Sequence, residues 1–318
     1  MQSDIGYKKP AFNPFKVSSW TSGQSEAVSG YLFILPWVIG FLIFVVGPML
    51  GLVYLSFHRW DLIGDPRFVG WRNYERLFTD KLFRKSLEVT ILYGLGRVPL
   101  GVIVALATAI LLNQKIKFVG FWRVVYYMPV VLPPVAVSLV WAWIYNPRYG
   151  IINGFIQSVF GVQGPSWLND PVLVLPSLMV MAVWVAAGRN MIIYLAGLQG
   201  ISQDLYSAAD IDGAGPWAKF WRITLPLLTP VIFFNVVTGM IDTFKLFTQA
   251  YVMTQGGPQN QSLFFTYYLW RTAFQDFRMG YASAMAMVVF VIIIALTLLV
   301  FRSSKAWVFY EAEVKGGD

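Results

Sequence analysis

Residues 206–226 read YSAADIDGAGPWAKFWRITLP, and this stretch indicates the fold more directly than any other part of the chain. It is a polar interval between two apolar segments, and the order of its residues is specific. Two alanines are followed by Asp-Gly-Ala at 212–214 and, after a fixed interval, by Ile-Thr-Leu-Pro at 223–226. The fixed spacing and the position between apolar segments make the pattern specific; the alternative is an ordinary amphipathic loop helix.

The composition is that of a membrane protein. The chain has 318 residues, of which 57% are hydrophobic and 13% are charged, whereas soluble domains carry about 25% charged residues. The net charge of +8 does not indicate nucleic-acid binding, because the basic residues are scattered and the apolar runs exceed membrane length. The chain has no cysteine, so it has no disulfide or thiol chemistry.

Six apolar segments are long enough to cross a bilayer as helices, which takes about 20 residues each. The first lacks the small-residue cleavage site of a signal peptide, so we expect it to be retained. Several contain prolines, which membrane helices tolerate where neighbouring helices or water satisfy the freed backbone groups. The sequence therefore predicts an all-α polytopic membrane protein with broken helices. The predicted spans are residues 31–57, 89–112, 124–145, 172–198, 225–253 and 282–301, within a domain of residues 30–302 between polar tails of residues 1–29 and 303–318.

The quoted stretch resembles the EAA loop of membrane subunits of binding-protein-dependent ABC importers, in which it forms short cytoplasmic helices that seat in a groove of a separate ATPase. Residues 256–258 and 280–282 also resemble carbohydrate-importer permeases at corresponding places. The resemblance covers nearly all of residues 30–302. It implies six transmembrane helices in a type I ABC importer permease fold, with a coupling loop at residues 203–226. The residues assigned to ATPase coupling are Ser207, which replaces the family's leading glutamate, Ala208, Ala209, Asp212, Gly213, Ala214, Ile223, Leu225 and Pro226.

The orientation in the membrane also depends on this resemblance. Lysine and arginine divide almost evenly between the two sides, so the positive-inside rule does not decide it. A coupling loop that faces the ATPase places both termini in the cytoplasm of a bacterium, with the chain in the inner membrane. The partners implied are a homologous second permease, two ATPase subunits, an extracytoplasmic substrate-binding protein and membrane lipid, but no nucleic acid. The implied mechanism is alternating access between two states.

The sequence carries no recognisable catalytic chemistry. No G-x-x-x-x-G-K-[ST] occurs, so we expect no cofactor in this chain, and ATP and Mg²⁺ in the partner ATPase. The only histidine, His58, ends the first span. We interpret it as an interfacial polar residue, because metal sites need several clustered ligands. The chain is therefore predicted to be a transport subunit and not an enzyme.

Ionisable residues within the spans point to a substrate path, because such residues are costly in a membrane and usually face a partner or water. Asp242 and Lys245 lie three residues apart in the fifth predicted span and can form an ion pair, which would only help to pack the bundle. Arg189 has no acid near it in the sequence. It would meet either an anionic group of the substrate or an acid of the partner permease, and both alternatives remain open.

The resemblance suggests a substrate class. In maltose-type permeases the spans before and after the coupling loop hold the sugar, and a sugar-stacking aromatic of the family falls on Arg189. Arginine binds carboxylate or phosphate through two parallel hydrogen bonds. The hypothesis is an importer of an anionic oligosaccharide, such as a uronate oligomer like alginate; the alternatives are a neutral oligosaccharide and a glycerol-phosphate compound. The expected substrate-binding residues are Arg189, Asn190, Gly239, Asp242, Thr243, Lys245 and Leu246.

Two other classes of protein compete with this hypothesis. An ion-coupled secondary transporter would use Asp242 as a proton or sodium site, but it would need no coupling loop and should show internal repeats, of which none is convincing here. A membrane anchor or receptor subunit would have no translocation role. Broken spans that carry Arg97, Arg189 and Lys245 argue against the second class.

Overall fold

The computed structural model describes residues 22–309 of the chain. These residues form helices and one small antiparallel strand pair, with β1 at His58–Arg59 and β2 at Arg67–Phe68. The helices are α1 (Ser22–Phe41), α2 (Gly47–Ser56), α3 (Arg72–Thr79), α4 (Lys81–Asn113), α5 (Val119–Val131), α6 (Pro134–Ile144), α7 (Ile151–Phe160), α8 (Val174–Gln199), α9 (Gln203–Ile211), α10 (Pro216–Lys219), α11 (Leu225–Phe244), α12 (Phe265–Trp270) and α13 (Met279–Trp307).

The centre of the bundle consists of α4, α8 and α11. In α8, 56% of the most apolar window is buried, the largest share among the candidate spans. Glycines let these helices approach closely, as is common for helices that pack in membranes. A Cβ built at Gly188 would lie 2.3 Å from the carbonyl oxygen of Tyr126 in α5, and one at Gly94 would lie 2.9 Å from Cγ2 of Thr243. Larger residues at these two positions would force the helices apart.

The periphery consists of the first and last helices. α1 continues through a π-helical turn, Leu42–Val46, into α2, and none of the apolar window of this rod is buried within the described chain. α2 packs beside α13, whose apolar window is 17% buried. The free faces of these helices are available to lipid or to another subunit.

The third predicted span is a broken helix. α5 and α6 meet at a bend of 101°. The cause lies in the Pro133-Pro134 pair, because proline lacks a backbone N–H and forces the residue before it out of the helical conformation. Leu132 is accordingly extended, and Pro134 begins the next helix at its first turn. By length and composition, the described residues contain six candidate spans if this bent pair is one span, and five otherwise.

The predicted end of the fifth span is wrong. α11 ends at Phe244, Lys245 caps it, and the chain then runs through an irregular segment into a π-helical turn, Ala250–Thr254. The hydroxyl of Thr266 donates a hydrogen bond to the carbonyl oxygen of Phe244, which occupies an acceptor that a continuing helix would use. Because the residues after Lys245 are still apolar, hydropathy cannot locate this end.

The predicted tails are partly helical. Residues 22–29 belong to α1, and residues 303–307 belong to α13. The rest of the predicted tails, residues 1–21 and 310–318, lies outside the described residues, and residues 308–309 continue beyond α13 without helix. In this extension of α13 the hydroxyls of Ser303 and Ser304 donate to the carbonyl oxygens of Val300 and Phe301.

Asp80 joins three helices at the end of the bundle opposite the 203–226 loop. Its Oδ1 caps α4 by accepting from two backbone N–H groups, and its Oδ2 accepts from the hydroxyls of Tyr268 and Tyr281, each at 2.7 Å. Burial by itself would raise the pKa of Asp80, but the hydrogen bonds of Tyr281, of Tyr268 and of the backbone outweigh it and hold this pKa below its ordinary value. The ionised carboxylate therefore fastens α12 and α13 to the start of α4.

Candidate functional site

A cavity of about 340 Å³ opens between α4, α5, α6, α8 and the end of α11. The break between α5 and α6 and the end of α11 both border it, so irregular backbone lies next to polar space, as expected at membrane depth. Its apolar wall includes Val130, Val137 and Ala186. Its polar and aromatic lining consists of Tyr93, Arg97, Arg189, Asp242, Lys245, Phe247, Thr248 and Gln249.

An ion pair crosses this cavity. Nη2 of Arg189 in α8 lies 2.8 Å from Oδ2 of Asp242 in α11, and the two side chains are 50% and 35% exposed. The spacing in the sequence suggested that Asp242 pairs with Lys245. In the structure Asp242 pairs with Arg189, because Lys245 lies past the last turn of α11. The acid that partners Arg189 belongs to the same chain, 53 residues further on, where local sequence cannot reveal it.

The other two basic residues of the cavity have no ion pair among the described residues. Arg97 donates from Nη1 to the carbonyl oxygen of Gly239 at 3.2 Å, which positions its guanidinium against α11. Lys245 is exposed. With three basic residues and one acid in its lining, the cavity carries a net charge of plus two. An anion in the cavity would therefore be stabilised by charges that no protein group within the described chain compensates.

The structure brings four of the seven predicted substrate-binding residues to the cavity, namely Arg189, Asp242, Lys245 and Leu246. The other three lie elsewhere. Thr243 is buried against Gly94 of α4, and its hydroxyl donates to the carbonyl oxygen of Gly239. A Cβ at Gly239 would contact Val98 of α4.

Gly239 and Thr243 are four residues apart and share the face of α11 that packs on α4, which excludes them from the lining. Asn190 is partly buried beside Arg189, but it does not line the cavity. Tyr93, Arg97 and Gln249 line the cavity but were not predicted as site residues. Arg97 alone gave a signal, as a charged residue within a predicted span.

Residues 203–226 fold into two short helices, α9 and α10, as the resemblance implied. Oγ of Ser202 accepts from the backbone N–H of Asp204 and caps α9, while Pro216 occupies the first turn of α10. Between them Gly213 has a φ of +73°, in the left-handed region that glycine adopts without strain. The turn therefore depends on a residue without a side chain at this position.

Two side-chain contacts make the loop a single unit. Nζ of Lys219 in α10 forms an ion pair with Asp210 in α9. The hydroxyls of Tyr206 in α9 and Thr224 lie 2.9 Å apart, directly before α11 begins. Because α11 carries Asp242 at its other end, a displacement of α9 would be transmitted to the cavity along one helix.

The predicted coupling residues divide into an outer and an inner set. Ser207, Ala208, Asp212 and Gly213 are exposed, whereas Leu225 packs against the apolar cluster around Leu228. The remaining members, Ala209, Ala214, Ile223 and Pro226, are partly buried.

Large apolar side chains flank the outer set of coupling residues. Ile211 is 87% exposed and Trp217 is 73% exposed, next to the polar loop. Exposed apolar side chains of this size beside small residues are typical of a protein-binding surface. Neither residue was predicted to take part in coupling.

Comparison with known proteins identifies the family of this chain. Residues 97–308 match the family described as "Binding-protein-dependent transport system inner membrane component". The chain is 40% identical over 294 residues to the probable ABC transporter permease protein YesP of Bacillus subtilis, covering 91% of this chain and 94% of that protein. It is 35% identical over 286 residues to the trehalose/maltose transport system permease protein MalF of Thermococcus litoralis, covering 88% and 95%.

A solved structure also has this fold. The fold superposes with a TM-score of 0.74 on a chain of a bacterial alginate ABC transporter, crystallised in complex with an alginate pentasaccharide-bound periplasmic protein. The two chains are 23% identical, and the match covers 88% of this chain and 95% of the other. The likeness establishes the architecture of a type I importer permease.

Proposed function

Because this chain belongs to the family of binding-protein-dependent transport system inner membrane components, we propose that it is the permease subunit of an importer for an anionic oligosaccharide, with uronate oligomers as the expected class. As an ABC transporter permease it is a multi-pass membrane subunit without enzymatic activity of its own, and ATP hydrolysis belongs to a separate subunit. Relatives named for trehalose and maltose support a saccharide as the cargo.

The charge of the cavity carries the anionic part of the proposal. Asp242 compensates Arg189, so Arg97 and Lys245 supply the net charge of plus two. Basic groups held near the middle of a membrane protein without acidic partners are costly, and an anion that enters the cavity relieves that cost. Arg97 is oriented by the carbonyl oxygen of Gly239, so its remaining N–H groups are available to a carboxylate.

The mechanism that fits this arrangement is alternating access. Two ATPase subunits, which hold ATP and Mg²⁺, would bind α9 and α10. The contacts would be made by Ser207, Ala208 and the exposed Trp217. Closure of the ATPases would displace the loop, and α11 would carry the displacement to the Arg189–Asp242 ion pair. A homologous second permease would complete the path. Both termini would lie in the cytoplasm, on the side of the coupling loop.

The alginate transporter of similar fold was crystallised with its substrate bound to a periplasmic protein. We propose that this chain likewise receives its substrate from an extracytoplasmic binding protein, at the end of the bundle opposite α9 and α10. The substrate-binding protein would present the saccharide to the cavity while the cavity is open on that side.

The test is uptake by the complete transporter reconstituted in proteoliposomes with ATP inside. A labelled uronate pentamer and a neutral pentasaccharide of equal length are compared, each with the binding protein, and glycerol phosphodiester forms a third arm. The proposal predicts uptake of the uronate oligomer in clear preference to the neutral one. Preference for the neutral oligomer or for the phosphodiester would contradict it. Uptake that follows an imposed proton or sodium gradient in the absence of ATP would instead identify a secondary transporter.

A further inference from the structure

The segment between α2 and α4 forms a fixed cap at the end of the bundle opposite the coupling loop. Nδ2 of Asn73 in α3 donates to the carbonyl oxygens of Ser56 and His58, at 2.8 and 2.9 Å. The hydroxyl of Tyr74 donates to Oγ of Ser56 at 2.8 Å. A Cβ at Gly280, near the start of α13, would lie only 1.9 Å from the carbonyl oxygen of His58. The strand pair, α3 and the start of α13 are therefore held in one arrangement.

A second cavity, of about 810 Å³, lies within this cap, and its lining is rich in arginine. Arginines from β1, from α3 and from the turn before α13 line it, together with carboxylates; these residues are Arg59, Arg72, Arg76 and Arg278, and Asp61, Glu75 and Asp276. None of these side chains forms an ion pair in the part of the chain that the structure describes. A smaller adjoining cavity shares Arg76, Arg278 and Asp276 and adds Lys81, Arg271 and Asp80. Together the two linings contain six basic and four acidic side chains, so basic groups are in excess.

Large exposed apolar side chains lie on the same segments of chain as the lining of this cavity. Ile63, Phe68, Trp71 and Phe78 are all exposed, and so is Phe277, which lines the cavity. Side chains of this kind prefer the interface between the headgroups and the hydrocarbon of a membrane. The cap therefore combines an arginine-rich cavity with exposed apolar side chains, as required for a molecule that has both an anionic and an apolar part.

The position of the cap separates it from the substrate path. The cap sits over α2 and α13, which are peripheral helices with little of their apolar surface buried. The first cavity lies between α4, α8 and α11. The two cavities share no lining residue. A ligand of the arginine-rich cavity therefore comes more readily from the surrounding bilayer than from the path of the saccharide.

We propose that the arginine-rich cavity binds the phosphate headgroup of a phospholipid in the leaflet at this end of the bundle. Guanidinium groups bind phosphate oxygens through paired, charge-assisted hydrogen bonds. Trp71 and Phe68 lie at the depth of the glycerol backbone, and the acyl chains run along the exposed faces of α2 and α13. A lipid bound in this way supplies phosphate oxygens to arginines that form no ion pair among the described residues.

The experiment measures lipid binding to the complete transporter, purified in detergent without phosphate groups and stripped of lipid, by native mass spectrometry. Phosphatidylglycerol is compared with a glucosyl diacylglycerol of the same acyl chains. The double variant Arg72→Gln/Arg278→Gln is expected to bind phosphatidylglycerol about tenfold more weakly, as the loss of charge-assisted hydrogen bonds implies. Arg84→Gln is the matched control, because this exposed arginine lies at the same end of the bundle but outside both cavities.

Three results would overturn the proposal. The first is equal binding of the phosphate-bearing lipid and the glucosyl lipid by the unaltered protein. The second is an equal effect of Arg84→Gln and of the double variant. The third is binding of glycerol phosphate, which has no acyl chains, with the same affinity and the same dependence on the arginines, since this would identify a soluble phosphate ligand. If the double variant does not assemble, Arg59→Gln removes a single lining arginine and is measured in its place, with the same three outcomes.

Discussion

Replacing Asp242 by Asn would leave Arg189 in the cavity without its acid, and the net charge of the four ionisable lining side chains would rise from two to three. Arg189→Gln would lower that net charge to one. The double variant would restore a net charge of two without the ion pair. The series therefore changes the charge in steps at one place, while the volume of each side chain is nearly kept.

The size of the effect follows from Coulomb's law. A substrate carboxylate about 8 Å from either group interacts with it by about 2 kcal/mol at an effective dielectric constant of about 20. Because the two side chains are 50% and 35% exposed, solvent screening reduces this interaction to roughly 1 kcal/mol. That energy corresponds to a change of about fivefold in affinity.

The assay is uptake in proteoliposomes at several concentrations of a uronate oligomer. Relative to the unaltered protein, Asp242→Asn should lower the half-saturating concentration about fivefold, and Arg189→Gln should raise it about fivefold. The double variant should lie near the starting value, and a neutral oligomer should be affected equally little by all three changes. Equal losses for both oligomers in the single variants would mean that the ion pair only holds α8 to α11, and the reasoning from cavity charge would fail.

Three further predictions concern other parts of the molecule. Gly213→Val should destabilise the turn between α9 and α10 by about 1–2 kcal/mol, because a β-branched residue is strained at a φ of +73°. It should therefore reduce coupled uptake, whereas Gly213→Asn should be tolerated. Equal uptake by the two variants would contradict this prediction. Asp80→Asn should lower the thermal unfolding midpoint at pH 7 through about 1–2 kcal/mol of lost hydrogen bonding. The pKa of Asp80 in the folded protein lies below the ordinary value of 3.8. The stability that its carboxylate contributes is therefore complete above pH 3.8 and is lost as the pH falls through the folded pKa. If the difference in unfolding midpoint between Asp80→Asn and the unaltered protein did not narrow on acidification, the proposed role of the ionised carboxylate would be wrong. Since the chain has no cysteine, Lys305→Cys and Arg148→Cys should react with impermeant maleimide from the cytoplasmic and external sides respectively, and labelling of both from one side would overturn the six-span topology.

The architecture was predictable from the sequence because each of its signals is local. Apolar runs indicate membrane helices, the Pro133-Pro134 pair indicates the break in the third span, and Gly213 indicates the turn in the coupling loop. The end of α11 was not predictable, since it depends on a hydrogen bond from Thr266 that the sequence places far from Phe244. Hydropathy continues unchanged across that end, and the fifth span was therefore drawn too long.

The residues that line the cavity were predictable only in part, because contacts between distant parts of the chain determine which of them meet. Charged residues within spans are visible in the sequence, and Arg189, Asp242 and Lys245 do line the cavity. The pairing among them is a long-range contact between α8 and α11, which sequence spacing cannot supply. Gly239 and Thr243 were assigned by resemblance, but the face of α11 on which they lie is set by packing against α4.

The central claim is that a separate ATPase drives this chain through α9 and α10. The most direct measurement is of ATP hydrolysis and uronate uptake in the same proteoliposomes, for the unaltered protein, for Ala208→Arg and for Ala208→Ser. Ala208 is exposed on α9, so a large charged side chain there obstructs a partner without disturbing the interior, and serine keeps the small size. The account predicts that hydrolysis and uptake rise together in the unaltered protein and in Ala208→Ser, and that Ala208→Arg assembles in the membrane but loses uptake. Full ATP-driven uptake by Ala208→Arg would contradict the claim.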